Sequence, residues 1–274
     1  MGKINVAKLL GVGAGVAGVA LGTYLTRKYL RGYQNLMGNY SPLIDQVLVI
    51  TDGMKSERWL FDWDDEERCK IATQQSLDKY GAIFSESHLV FDFLEDCVEV
   101  CRYLNDSEDP EEIISIFLNS YDVVTFIVRR SKNGKEERWD ATINGAELSQ
   151  LTSGDAATKM YWSEGNLEGV SYGGETRKKM TYYRDKENYL FPDINLFVEG
   201  FGEEMMSNYV MGTRSRHFLR TMSVSGPNYH RQSHISYLLD SFDRPIQMLI
   251  EDTILKDDIT TNSSREFEIR YKKL

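Results

Sequence analysis

The chain has 274 residues, enough for one large domain or two small ones, and its 41% hydrophobic and 27% charged residues are typical of a folded protein. The formal net charge is −10; only five of the 32 basic residues precede Asp45, so the rest of the chain carries 27 basic residues and all 42 acidic ones. An acidic body opposes general binding to nucleic acid, because it would repel the phosphates.

The first apolar segment predicts a membrane anchor. Residues 9–25 read LLGVGAGVAGVALGTYL and contain no charge. As a helix they would rise about 25 Å, the lower limit for a bilayer core. The flanking residues suit a membrane interface: Lys8, Tyr24, Arg27, Lys28 and Arg31. We therefore expect a single transmembrane helix within residues 1–34, with the C-terminal domain in the cytosol because the three cysteines have no disulfide framework.

Glycines in this segment fall on one helix face, at Gly11, Gly15, Gly18 and Gly22. Such a stripe of small residues lets another helix approach closely, so it predicts packing against a second transmembrane helix or self-association. One alternative is an anchor that merely tolerates its glycines. Another is a signal peptide cleaved after residues 18–20, although the apolar run continues beyond that point.

The same glycines fit a nucleotide-binding motif. Gly13, Gly15 and Gly18 match G-x-G-x-x-G, and the stretch resembles the opening of flavin- and nicotinamide-binding Rossmann enzymes. The resemblance implies an FAD- or NAD-dependent oxidoreductase. However, Lys8 interrupts the strand that should precede the motif, and no acidic residue for the ribose appears before Asp45.

The body of the chain predicts an α+β fold with a mostly antiparallel sheet and several helices. Residues 35–46 read as a linker, and residues 47–274 as an acidic domain with a possible sub-boundary near 145–165. Helices are predicted over 64–81, 94–105 and 109–120 from their amphipathic patterns. Strands are predicted on both sides of Asn133-Gly134, a pair typical of a type I′ turn, over residues 194–201, and through much of the chain after residue 165.

Few residues indicate chemistry. His230 and His234 lie four apart and are weak candidates for a metal pair, without the Glu of a zinc-protease motif. An acidic cluster suits either a hard cation or a solvated helix start; it comprises Asp62, Asp64, Asp65, Glu66 and Glu67. Basic residues at 129–132 and 177–179 flank predicted turns, where they would keep strand edges soluble or meet anionic lipid headgroups.

The leading functional prediction is a single-pass membrane-anchored binding or scaffolding protein, whose glycine-striped helix packs with a partner helix while its acidic domain engages another protein. No catalytic residue and no cofactor is predicted, and the pattern favours a protein that is not an enzyme. The expected partners are membrane lipid, a second transmembrane helix or another copy of this chain, and an unidentified protein. One alternative is the dinucleotide-dependent oxidoreductase, and a second is a membrane-associated hydrolase whose carboxylates converge only in three dimensions.

Overall fold

A computed structural model describes residues 43–119, 124–144, 147–173, 175–190, 192–199 and 215–272. Sixteen antiparallel strands form one closed barrel, in which each strand pairs with its neighbours in the chain and the first pairs with the last. The strands of the first half are β1 Ile44–Thr51, β2 Met54–Trp63, β3 Cys69–Leu77, β4 Ile83–Phe93, β5 Cys97–Leu104, β6 Glu112–Leu118, β7 Val124–Ser131 and β8 Glu136–Asn144. Those of the second half are β9 Glu147–Ser153, β10 Ala156–Ser163, β11 Asn166–Tyr172, β12 Glu175–Glu187, β13 His217–Gly226, β14 Tyr229–Leu239, β15 Pro245–Lys256 and β16 Ile259–Tyr271.

The predicted α+β class is therefore wrong. The three segments predicted as helices contain strands β3, β5 and β6, and the helix in the described part of the chain is the four-residue α1, Leu196–Glu199. In the described ranges no helix has the length and apolar character of a membrane span. The expected transmembrane helix of residues 1–34, with its glycine stripe and flanking bases, lies outside the described residues.

Tight turns connect many of the strands. In three two-residue turns both residues have positive φ, as type I′ geometry requires: Asp52-Gly53, Glu164-Gly165 and Asp257-Asp258. The hairpin predicted around Asn133-Gly134 is present between β7 and β8, but only Gly134 has a positive φ, +80°. That turn is therefore not type I′. It is a four-residue connection in which the amide of Gly134 bonds to the carbonyl of Ser131.

The strand register divides the side chains into an inner and an outer set. Residues directly opposite each other on neighbouring strands point to the same face of a sheet. Val47 lies opposite Trp59 on β2 and opposite Ile269 on β16, and all three are buried. Followed around the barrel, this inner face carries most of the hydrophobic core, for example Phe61, Leu89, Phe91, Val100, Ile116, Ile127, Met222, Ile235, Met248 and Phe267.

The barrel has two different ends. At one end, which we call the mouth, the connections that follow odd-numbered strands are two to seven residues long. At the other end, the base, residues 188–216 connect β12 to β13. Part of this connection enters the barrel, since Phe197 packs edge-on against Trp59 and Phe61 of β2 and near Phe267 of β16. Residues 194–199 were predicted as a strand, and they form a turn and α1 instead.

Buried polar groups hold this inserted segment in place. The Asn195 side chain donates to the carbonyl of His217 over 2.9 Å and accepts from the amide of Leu219 over 2.8 Å. The carboxylate of Asp193 accepts from the amide of Asn195 at 2.9 Å. Because unpaired polar groups are costly inside a protein, these bonds fix the segment against the first residues of β13.

Candidate functional site: the interior of the barrel

The interior is apolar towards the base and charged towards the mouth. Inward-facing charged residues occur on nine of the strands, and each lies at the middle of its strand or nearer the mouth: Glu57, Arg102, Glu112, Arg129, Glu137, Lys178, Arg231, Asp252 and Arg265. The inner faces thus offer an apolar wall below a charged rim. An amphipathic molecule has the same division between tail and head.

The outer face is polar along much of its surface. On β8 the outward side chains Glu136, Arg138, Asp140 and Thr142 are all exposed, and they alternate with the inward ones. Strand β16 likewise directs Glu266, Glu268 and Arg270 outward. A barrel that faces lipid shows the opposite pattern, with an apolar band outside and a polar interior.

Solvent reaches the inner apolar wall on β8, β9 and β10. Trp139 on β8 lies opposite the buried Ile127, and Ala141 on the same strand lies opposite Leu151 of β9. Met160 of β10 lies opposite the buried Val170. The side chains of Trp139, Ala141, Leu151 and Met160 are only half-buried, whereas their inward-facing counterparts on β2 and β16 are covered by the inserted segment. This half-open apolar wall is the part of the interior best suited to an apolar ligand.

One charged cluster on the rim fixes the inserted segment. Arg231 makes a bidentate contact with Asp252 at 2.9 and 3.0 Å, and Arg265 reaches the same carboxylate at 3.2 Å. Ser233 donates to Asp252 at 2.6 Å. Both arginines also donate to the carbonyl of Val198, at 3.3 and 3.0 Å. These contacts tie α1 to β14 and β16.

The same contacts keep Asp252 ionised. Burial by itself would raise the pKa of this carboxyl group, but the hydrogen bonds from Arg231 and Ser233 and the positive charges of Arg231 and Arg265 outweigh burial. The pKa of Asp252 therefore lies below its usual value of 3.8. This cluster has a structural role, because its carboxylate is already fully engaged.

A second inward cluster lies beside the half-open wall. Glu112 of β6 is only 2% exposed and pairs with Arg129 of β7, while Arg102 of β5 lies 3.9 Å from its second oxygen. Glu137 of β8 lies opposite Arg129 and pairs with Lys135. The hydrogen bond from Lys135 lowers the pKa of Glu137, and the charge of Arg129 lowers it further. The cluster of Arg102, Glu112, Arg129 and Glu137 therefore carries two charges of each sign.

A hydroxyl, an imidazole and a carboxylate line up on the outer face. His88 bonds to Thr73 through Nδ1 at 3.0 Å and to Glu86 through Nε2 at 3.0 Å. The order of groups is that of a hydrolase triad, but catalysis also needs donors aimed at a developing oxyanion. The main-chain amides of β3 and β4 around this site are held in the sheet between neighbouring strands. Within the described residues we therefore assign these three groups to the surface.

The other candidate residues from the sequence do not converge. His230 and His234 both face outward on β14, where four residues span about 13 Å, too far for one ion. His230 bonds to Ser225 at 3.1 Å. No group of three or more metal-binding side chains occurs among the described residues. Asp64 of the acidic cluster accepts from the amides of Glu66 and Arg68 and closes a turn.

The basic stretches divide between the two faces. Arg129 and Lys178 point inward, whereas Arg130 and Lys179 point outward and lie near the mouth. Sequence reasoning grouped each stretch as one patch because it treated neighbouring residues together. The inward members were missed, although strict alternation along a strand would have separated them.

The 16-stranded antiparallel barrel resembles a solved structure, although the sequence comparisons find no match. No protein-family model matches the chain, and no curated protein is similar to it in sequence. It resembles the crystal structure of a porin-like protein from Bacteroides uniformis, with a TM-score of 0.63 and 11% identity over 85% of this chain and 99% of that chain. At this identity the likeness shows the fold.

These findings correct the functional predictions. A single-pass protein with an α+β domain in the cytosol is contradicted, because the body of the chain is a closed barrel similar to a porin-like protein. The interpretation as a helical signal anchor with a glycine zipper is contradicted with it. The oxidoreductase alternative is also wrong, since the described residues form a barrel instead of a doubly wound sheet; the motif residues Gly13, Gly15 and Gly18 lie outside the described part.

Proposed function

We propose that this chain is a binding protein that takes an apolar ligand into the interior of its barrel. The observation that carries the proposal is the alternation along β8, where Trp139, Ala141 and Ile143 face inward and half-buried between exposed polar residues. Barrels of about eight strands hold one small ligand in their interior, and larger barrels enclose ligand cavities or channels. The half-open wall supplies the site, and the charged rim faces the short turns of the mouth.

The test is the binding of a neutral, environment-sensitive dye, Nile red, to the full chain. We expect dye fluorescence to rise on binding and to fall when dodecanol competes. Met160→Glu places a charge on the half-open wall and should weaken dye binding at least tenfold. Lys159→Glu is the matched control, because Lys159 is the adjacent exposed residue on the outer face of β10. Equal loss of binding in both variants, or no dye binding by the native chain, would contradict the proposal.

A second candidate is a channel in an outer membrane, favoured by the strand number and by the resemblance to a porin-like protein. The outward charges oppose it. An Arg or Lys on the lipid face costs about 2–4 kcal/mol near the bilayer midplane. Lys159 on β10 and Arg138 on β8 point outward, to the face that would meet lipid. Conductance steps in a planar bilayer on addition of the purified chain would favour the channel, and their absence together with dye binding would favour the ligand-binding protein.

A further inference from the structure

The second charged cluster has an unused acceptor. Oε2 of Glu112 is buried, and no donor in the described part of the chain lies within hydrogen-bonding distance of it. Nε of Arg102 lies 3.9 Å from it, which is an ion pair without a hydrogen bond. Oε1 is already taken by Arg129. A buried carboxylate oxygen without a donor is costly, so this atom is complementary to a donor brought by another molecule.

The surroundings of this oxygen select the kind of donor. The Glu112 carboxylate repels an anionic head and the guanidinium groups of Arg102 and Arg129 repel a cationic one, so a full charge on the ligand is opposed in this partly buried place. A neutral hydroxyl can donate to Glu112 and accept from an arginine with one atom. The guanidinium groups are also accessible, since the side chains of Arg102 and Arg129 are 41% and 31% exposed.

The position of Glu112 suits the head of a ligand held by the half-open wall. Ile114 and Ile116 continue the inner face of β6 below it, and both are buried. Trp139 lies two strands away, about 10 Å at ordinary strand spacing. A chain whose head lies at Glu112 can thus run along the apolar wall towards Trp139 and Met160.

Resting on the proposed function, we propose that the interior of the barrel binds a neutral long-chain or polycyclic alcohol, whose hydroxyl donates to Oε2 of Glu112 and accepts from Arg102. The apolar body of the ligand lies on the half-open wall. The hydroxyl distinguishes this ligand class from alkanes, which offer no donor, and from fatty acids, whose carboxylate would meet that of Glu112.

The decisive experiment compares three ligands on the native full chain by displacement of Nile red: dodecanol, dodecyl methyl ether and dodecanoate. The ether has the same apolar chain and can accept but not donate. We expect dodecanol to bind about tenfold or more tightly than the ether, as a buried hydrogen bond to a charged acceptor would give. Dodecanoate at pH 7 should also bind more weakly than dodecanol.

Two variants tie the preference to the carboxylate. Glu112→Gln should reduce the advantage of dodecanol over the ether to less than about threefold. Glu136→Gln is the matched control, since Glu136 pairs with Arg130 at 2.9 Å on the outer face, and it should keep the full advantage. If Glu112→Gln does not fold, the comparison of dodecanol with its ether on the native chain still decides whether the site prefers a hydroxyl donor.

The possible outcomes separate the two proposals. If dodecanol and its ether bind the native chain equally well, the hydroxyl site is wrong while the apolar binding site stands. If dodecanoate binds most tightly, the inference of a neutral head is overturned. If neither the dye nor any of the three ligands binds, both proposals fall together.

Discussion

Removing one side chain tests whether the connection between β12 and β13 truly fills the base of the barrel. Phe197 is 2% exposed, and its ring meets Trp59 and Phe61 edge-on at centroid distances of 6.5 and 6.4 Å and Phe267 at 6.1 Å. Phe197→Ala removes a fully buried ring and leaves a cavity among aromatic residues that cannot collapse freely. Such truncations cost about 3–5 kcal/mol, and the aromatic pairs place this site towards the upper end.

The assay is urea unfolding followed by tryptophan fluorescence, with Phe84→Ala as the control. Phe84 is 70% exposed, so the same truncation there should change the free energy of unfolding by no more than about 0.5 kcal/mol. A loss below about 1 kcal/mol for Phe197→Ala would refute the placement of this ring in the core. Equal losses in both variants would also refute it.

Three further predictions follow from the register and the buried charges. Asp252→Asn leaves its two arginine partners without a carboxylate, so at pH 7 it should lower the free energy of unfolding by about 3–5 kcal/mol. Because the folded-state pKa of Asp252 is depressed, its ionised carboxylate stabilises the fold above the unfolded pKa of about 3.9, and this stabilisation is lost as the pH falls through the lower folded pKa. In urea titrations, the difference in the free energy of unfolding between the native chain and Asp252→Asn should therefore be smaller at pH 3 than at pH 7. Ile250→Glu should prevent folding because that side chain is inward and buried, whereas Glu251→Ile on the outer face should be nearly neutral, as circular dichroism and unfolding midpoints will show. Burial raises the pKa of Cys69 strongly and that of Cys101 less, so a thiol reagent at pH 8 should label Cys101 first in single-cysteine variants, and faster labelling of Cys69 would contradict its buried position.

The strands that were predicted correctly have one apolar face. The alternation matches period two over residues 138–144 of β8 and 266–271 of β16, where the outer side chains are polar and the inner ones are apolar. Strand β5 failed this test for a physical reason. Val98 and Val100 face inward while Cys97 and Cys101 face outward, next to Phe117 and Ile113 of β6. Apolar residues on both faces hide the alternation and leave a spacing that also fits a helix.

The helix predicted over residues 64–81 failed because its end signals belong to turns. Asp64 accepts from the amides of Glu66 and Arg68, as a helix cap would, but here it closes the connection between β2 and β3. Gly81 has a φ of +81°, which suits both the end of a helix and the turn before β4. Local patterns of this kind report a change of chain direction without saying which element follows.

Closure of the barrel and the interior site depend on contacts that no local pattern contains. Val47 pairs with Ile269 across more than two hundred residues, and the charged cluster of Arg102, Glu112, Arg129 and Glu137 draws on four strands. The sequence does carry one relevant signal. A charge that falls on the apolar side of an alternating strand must point into the barrel, and it is kept there only if partners from neighbouring strands neutralise it.

That rule connects the fold with the proposed site. The mouth gathers inward charges, while Phe197 of the inserted segment packs against apolar side chains of β2 and β16 further inside, so a ligand that enters from the mouth passes the rim. At Asp252 the rim is saturated, since both carboxylate oxygens accept hydrogen bonds. At Glu112 one oxygen accepts none from the described residues. The two clusters have similar composition, so the difference in their hydrogen bonding explains why one fastens the protein to itself and the other is suited to a ligand.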